Sequence, residues 1–105
     1  MIRLLNKKNF KKEVLEESKI PVLVDFYADW CPPCRVLSPI LEELEGKYQD
    51  KIKFAKVNVG EEQDLASNYK VISIPTLIIF KNGQEIKRMV GLLPKEDLEK
   101  ILELL

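Results

Sequence analysis

The two cysteines of this chain stand three positions apart, in Ala28-Asp29-Trp30-Cys31-Pro32-Pro33-Cys34-Arg35. A strand-like run precedes them and an apolar pattern of helical spacing follows, so Cys31 falls at a helix N-terminus. There the first backbone N–H groups lack intrahelical acceptors and the helix dipole presents its positive end. Both favour a thiolate over a thiol and lower the pKa. A second thiol one turn further on closes a small disulfide ring, which lets the pair take up and release two electrons without a bound cofactor. Reversible thiol–disulfide exchange is the chemistry this spacing supports best.

Two other uses of a cysteine pair fit less well. Zinc ribbons begin with the same spacing, but the chain has no histidine and no second Cys pair, so zinc would have to recruit carboxylates. A structural disulfide stabilises by restricting the unfolded chain, and that effect grows with the length of the loop closed. A bond between near neighbours gains little from it, and reactivity explains the pair better.

The 105 residues, 46% hydrophobic, suffice for one domain spanning residues 1–105 with a proper core. Seventeen basic and seventeen acidic side chains cancel, which removes the main attraction for nucleic acid and for anionic membrane surfaces. Met1 to Phe10 lacks the apolar stretch of a signal peptide, and no run approaches the length of a membrane span. A cytoplasmic monomer is expected. In that reducing compartment a dithiol motif reads as catalytic or redox-sensing rather than as a staple.

The elements that must position the cysteines alternate along the chain. Ile2 to Leu5 reads as a short strand, and Phe10, Val14 and Leu15 mark a helix face ending near Ser18. Val22 to Tyr27 is apolar on both faces apart from Asp25, the pattern of a central strand covered on each side. Leu37, Ile40, Leu41, Leu44 and Tyr48 recur at helical spacing from about Pro32 to Gln49, with Pro39 inside as an expected kink. Ile52 to Val59 reads as a strand and Glu61 to Tyr69 as a short helix. Leu77 to Phe80 and Glu85 to Val90 flank an Asn82-Gly83 hairpin turn. Pro94 to Leu105 closes the chain as a helix with Leu98, Ile101, Leu102 and Leu105 inward. Parallel crossovers followed by one hairpin give an α/β fold, a mixed sheet with helices on both faces.

Val24-Asp25-Phe26, Trp30-Cys31-x-Pro33-Cys34, Ile74-Pro75-Thr76, Phe80-Lys81-Asn82-Gly83 and Gly91, taken together and in this order, resemble the thioredoxin family over essentially the whole chain. The resemblance implies a thioredoxin fold, a five-stranded central sheet flanked by four helices. It implies a protein-disulfide reductase that recharges at a thioredoxin reductase and needs no cofactor or metal beyond its redox-active disulfide. Cys31 would attack a substrate disulfide and Cys34, less accessible in the first helical turn, would resolve the mixed disulfide. Two alternatives share the motif: a disulfide oxidase or isomerase domain of an oxidising compartment, and a non-enzymatic peptide-binding adaptor whose role survives loss of both cysteines.

Asp25, a carboxyl group in an apolar strand, is expected to titrate above its ordinary range. The resemblance places it beneath Cys34 as general base, with Lys56 on a neighbouring strand as charge partner. It also implies a cis Ile74–Pro75 bond at the floor of the substrate groove, where an extended peptide pairs with the backbone of Ile74 and Trp30, Pro75, Gly91 and Leu92 supply an apolar surface. Trp30 reads equally well as a core aromatic, and Arg35 as a solvated helix charge or as added positive potential. The chain departs from the family pattern at Pro32, where glycine is usual, at Tyr27, where many members carry a second tryptophan, and at Ser73, where glycine is frequent. Pro32 and Pro33 both lack an N–H, which leaves the Cys31 thiolate chiefly the N–H and thiol of Cys34. Fewer donors raise its pKa and make the dithiol a stronger reductant, whereas rigidity of the two-proline turn would strain the disulfide and make it more oxidising.

Overall fold

The computed structural model describes residues 2–105. The elements are β1 (Arg3–Leu4), a π-helical turn (Lys11–Leu15), β2 (Val22–Tyr27), α1 (Pro32–Tyr48), β3 (Lys53–Asn58), α2 (Gln63–Asn68), β4 (Thr76–Lys81), β5 (Gln84–Val90) and α3 (Lys95–Glu103). The sheet order is β1-β3-β2-β4-β5. β1, β3 and β2 run parallel, whereas β4 pairs antiparallel with β2 and with β5. This is the mixed five-stranded sheet expected, with four helical segments around it.

Side-chain alternation divides the core. On one face Leu23, Phe54, Leu77 and Ile79 pack under Leu37, Leu41 and Leu44 of α1 and Leu98 and Leu102 of α3. On the other, Val24, Phe26, Val57, Ile78 and Phe80 pack against Phe10, Val14 and Leu65 of the π-helical turn and α2. β2 lies between β3 and β4, so its side chains are covered on both sides: Val22, Leu23, Val24 and Phe26 are all within 1% of full burial. Asp25 alternates onto the α1 face, directly in register with Lys56 of β3.

Three elements differ from expectation. The first strand shrinks to Arg3–Leu4, an edge strand with one partner. The first helix is a π-helical turn that stops at Leu15, where the Glu16 amide bonds back five residues to the Lys11 carbonyl. The last helix ends at Glu103, which leaves Leu105 outside it and 38% exposed rather than inward. Pro39 lies inside α1 and the helix continues through it.

The β4–β5 turn follows its residues. Asn82 and Gly83 both have positive φ, 52° and 78°, as a two-residue turn matched to the strand twist requires. A Cβ at Gly83 would stand 2.6 Å from the Leu15 carbonyl oxygen, at the end of the π-helical turn. Gly83→Ala therefore combines an unfavourable φ with a backbone clash and is expected to cost more than about 1 kcal/mol. Gly46, exposed within α1 and with nothing within 4 Å of a new Cβ, should respond oppositely, Gly46→Ala gaining about 0.5–1 kcal/mol. Urea unfolding of the two variants checks both signs.

Candidate active site

β2 ends at Tyr27, and Cys31 is the N-cap of α1, in extended conformation at φ −99° and ψ 109°. Pro32 and Pro33 occupy the first two helical positions, where a missing N–H costs no hydrogen bond and a fixed φ suits the helix. Cys31 and Cys34 are joined in a disulfide, with their Cα atoms 5.3 Å apart. The Cys34 N–H donates to Cys31 Sγ at 3.3 Å. The Arg35 N–H is occupied by the Cys31 carbonyl at 3.2 Å. The sulfur is thus left with the one local donor that the two prolines allow.

Cys31 and Cys34 are almost equally buried, at 3% and 4% exposure, so residue burial does not distinguish the two as expected. What separates them is position: Cys31 caps the helix and Cys34 lies inside its first turn. Cys31 Sγ also lies 3.9 Å from the Ile74 carbonyl oxygen. That contact is a hydrogen bond only when Cys31 is a protonated thiol, since a disulfide sulfur has no proton to donate. Ala28, Tyr27, Val59 and Ile74 pack around the pair.

The Ile74–Pro75 peptide bond is cis, as expected. The Gly91 N–H donates to the Pro75 carbonyl at 2.8 Å, which fixes Gly91, at φ 93°, beside that bond. Trp30 is 71% exposed and is not a core aromatic. With Ile74 it borders a groove of about 590 Å³ whose remaining walls are Val59, Gln63, Ala66, Ser67, Lys70, Val71 and Ile72. Pro75, Gly91 and Leu92 do not line this groove, although Leu92 is exposed. The sequence reading missed Val59, Ala66, Val71 and Ile72. The available signal was Ile72, an apolar residue in the link between α2 and β4, which is almost fully exposed.

A smaller cavity, about 250 Å³, is lined by Tyr27, Ala28, Asp29, Cys34, Arg35, Ser38 and Lys56. Arg35 is tied down there, its Nε donating to the Asp29 carbonyl at 2.9 Å, and Asn58 Nδ2 donates to Asp29 Oδ2 at 3.3 Å. The Lys56 ammonium sits 5.7 Å from the centre of the Tyr27 ring. Asp25, the register partner of Lys56, is buried, and its Oδ1 has no hydrogen-bond partner among the described residues. Burial pushes its pKa from 3.8 up to about 7, with Lys56 pulling the other way. Asp25 is thus a buried carboxyl group on the α1 face with one oxygen unpartnered among the described residues.

Comparison with known proteins agrees with this geometry. Residues 1–104 match the Thioredoxin family model. Thioredoxin 1 of Nostoc sp. is 51% identical over 90% of this chain and 87% of its own length. The chloroplastic M-type thioredoxin of Chlamydomonas reinhardtii is 43% identical over 94% of this chain and 70% of its own length, and the thioredoxin of Alicyclobacillus acidocaldarius is 46% identical over 87% and 85%. With a Cys-x-x-Cys pair already at disulfide distance on this fold, the chain belongs to the thioredoxin family, thiol–disulfide oxidoreductases that reduce protein disulfides.

Proposed function

We propose that Cys31 is the attacking thiolate, Cys34 the resolving thiol and Asp25 the general base of a reductase cycle. The Cys31 thiolate attacks one sulfur of a substrate disulfide. The substrate S–S bond breaks, a mixed disulfide forms, and the expelled substrate thiolate takes a proton from solvent. Asp25, as carboxylate, removes the proton of Cys34. The resulting thiolate attacks Cys31 Sγ, closes the Cys31–Cys34 bond and releases the second substrate thiol. The substrate has gained two electrons from the protein; of its two protons one comes from solvent and the other, through Asp25 and water, from Cys34.

The observation that carries this assignment is the Cys34 N–H donated to Cys31 Sγ at the start of α1, since it stabilises negative charge on Cys31 in preference to Cys34. Asp25 supports the second half, because a base works best with a pKa near the operating pH and its own is about 7. Lys56 lines the cavity that reaches Cys34 and is the cation beside Asp25, a route by which the proton leaves to water. The backbone of Ile74 pairs with the substrate chain, and Trp30, Pro75, Gly91 and Leu92 supply apolar surface beside it. Pro32 and Pro33 tune the couple by withholding donors from Cys31.

The protein works as a monomer in a reducing compartment, the cytoplasm, on disulfide-bonded proteins, and is recharged by a thioredoxin reductase. The disulfide is its redox group, with no further cofactor. The balanced charge supports protein substrates over nucleic acid or membrane. Among the described residues no helix is long and apolar enough to cross a membrane.

Alkylation of the reduced protein at mildly acidic pH, mapped by mass spectrometry, is expected to label Cys31 first; preferential labelling of Cys34 rejects the assignment. Asp25→Asn is expected to slow resolution of the mixed disulfide by about 10²-fold, as loss of a general base does, and to remove the rise in rate as pH passes about 7. A rate unchanged in size and pH dependence rejects the role. Stability moves the other way. The folded protein binds the Asp25 proton more tightly than the unfolded chain, so stability is lost as pH rises from 3.8 to about 7 and levels off above. Asp25→Asn escapes this loss. Its advantage over the natural chain should grow across that window to a few kcal/mol, at ~1.4 kcal/mol per pKa unit, as read by urea unfolding at each pH.

A further inference from the structure

β5 holds one residue more than the strand it pairs with. Ile79 stands opposite Lys87 and Phe80 opposite Glu85, which leaves Ile86 as a bulge. In a regular strand, residues three apart point to opposite faces. The bulge changes that. Glu85 and Arg88 come to lie on the same face, the one that carries Phe80 and Ile78 toward α2.

Arg88 is used there as a fork. Its Nε and one terminal nitrogen donate to the two carboxylate oxygens of Glu85, both at 2.9 Å. The guanidinium then donates to the carbonyls of Tyr69 at 2.6 Å and Lys70 at 3.2 Å, just past the end of α2. Lys70 has φ 55°, a left-handed conformation that glycine adopts freely and lysine does not. The segment that leaves Lys70 forms the Val71, Ile72 and Ile74 wall of the groove shared with Trp30 and ends with the Ile74 carbonyl against Cys31 Sγ. Two of its other bonds, from the Val71 N–H to the Ala66 carbonyl at 2.9 Å and from the Thr76 hydroxyl to the Ser73 carbonyl, join near neighbours in sequence, and the Pro75 carbonyl at its far end accepts from the Gly91 N–H just past β5. Arg88 fastens its start to the sheet.

We propose that Arg88, oriented by Glu85 across the β5 bulge, is a positioning residue for the groove: by fixing the two carbonyls after α2 it sets the wall formed by Val71, Ile72 and Ile74, and so sets affinity for protein disulfides without touching the sulfur chemistry. The inference rests on the reading that this groove receives the substrate chain.

Turnover driven by dithiothreitol tests it, with insulin as protein substrate and dithiobis-nitrobenzoate as a disulfide too small to fill the groove. Arg88→Met should raise KM for insulin about fivefold, about 1 kcal/mol at ~1.4 kcal/mol per tenfold. Its kcat, its rate with the small disulfide and its reduction potential should stay as in the natural chain. Ile72→Ser probes the groove itself. If it raises KM for insulin and Arg88→Met does not, the groove stands and the role of Arg88 is overturned; if neither changes KM, the groove reading falls and takes this inference with it. Loss of stability in Arg88→Met is separated by adding Gly46→Ala, which lies in α1 outside the groove and raises Tm. A KM that stays raised in the double variant supports positioning. A KM that returns to the natural value together with Tm shows that Arg88 acts through stability alone, and overturns it.

Discussion

The structure depends on one constraint, the enclosure of β2 between two hydrogen-bonded neighbours and two layers of helix. A strand so placed exposes almost nothing, and Val22, Leu23, Val24 and Phe26 supply the apolar surface that such a place demands. Each of these side chains contributes about 1.5–3 kcal/mol when fully buried. The enclosure has two consequences. The chain leaves β2 at the rim of the sheet and enters α1 within five residues, so the helix N-terminus, with Cys31 on it, is delivered to one place. The single charged residue of the strand, Asp25, has to be buried along with its neighbours.

The site then follows from how charge is treated at that rim. The first turn of α1 holds Pro32, Pro33, Cys34 and Arg35 and no acidic side chain, so nothing in it opposes negative charge on Cys31. The prolines withhold their donors, and the Cys34 N–H is what remains. Asp29, the nearest acid in sequence, has its carbonyl bound by Arg35 and its carboxylate bound by Asn58, which ties it into the loop before the cysteines. Asp25 has no such partner for Oδ1, and Lys56 offsets only part of its burial. Leaving a carboxyl group in that state costs on the order of a few kcal/mol when it is charged. The apolar burial around it is large enough to carry the cost, and the same burial raises its pKa to about 7.

Much of this was legible in the sequence where local rules and tertiary demands agree. β2 announces itself because its neighbours force it to be apolar on both faces, the hairpin because Asn82-Gly83 suits a turn with two positive φ values, and the start of α1 because Pro32 suits a first helical position. Asp25 stood out as the exception within an apolar run, and its buried, raised state follows from that alone. Features made by distant segments meeting left weaker traces. The groove joins Trp30, Val59, Ala66 and Ile72 from four parts of the chain, and no periodicity brings these together. The Glu85–Arg88 pairing depends on a bulge that shifts register by one residue, and strand alternation read straight through would have placed the two on opposite faces. Trp30 was ambiguous because a large ring serves equally in a core or at a rim, and its exposure resolves that. The equal burial of the two cysteines was not foreseen either, since the helix position of each does not fix how loops and Ile74 close over them.

Enclosure of β2 should hold Asp25 as a carboxyl group that exchanges its proton near neutrality. Infrared difference spectroscopy of the oxidised protein across pH, with the Asp25 carboxyl band assigned against Asp25→Asn, tests it most directly. A protonated carboxyl band that disappears with a midpoint of about 7 is expected. A midpoint near the ordinary 3.8 would contradict it, and would mean that water or Lys56 neutralises the burial of this side chain in full.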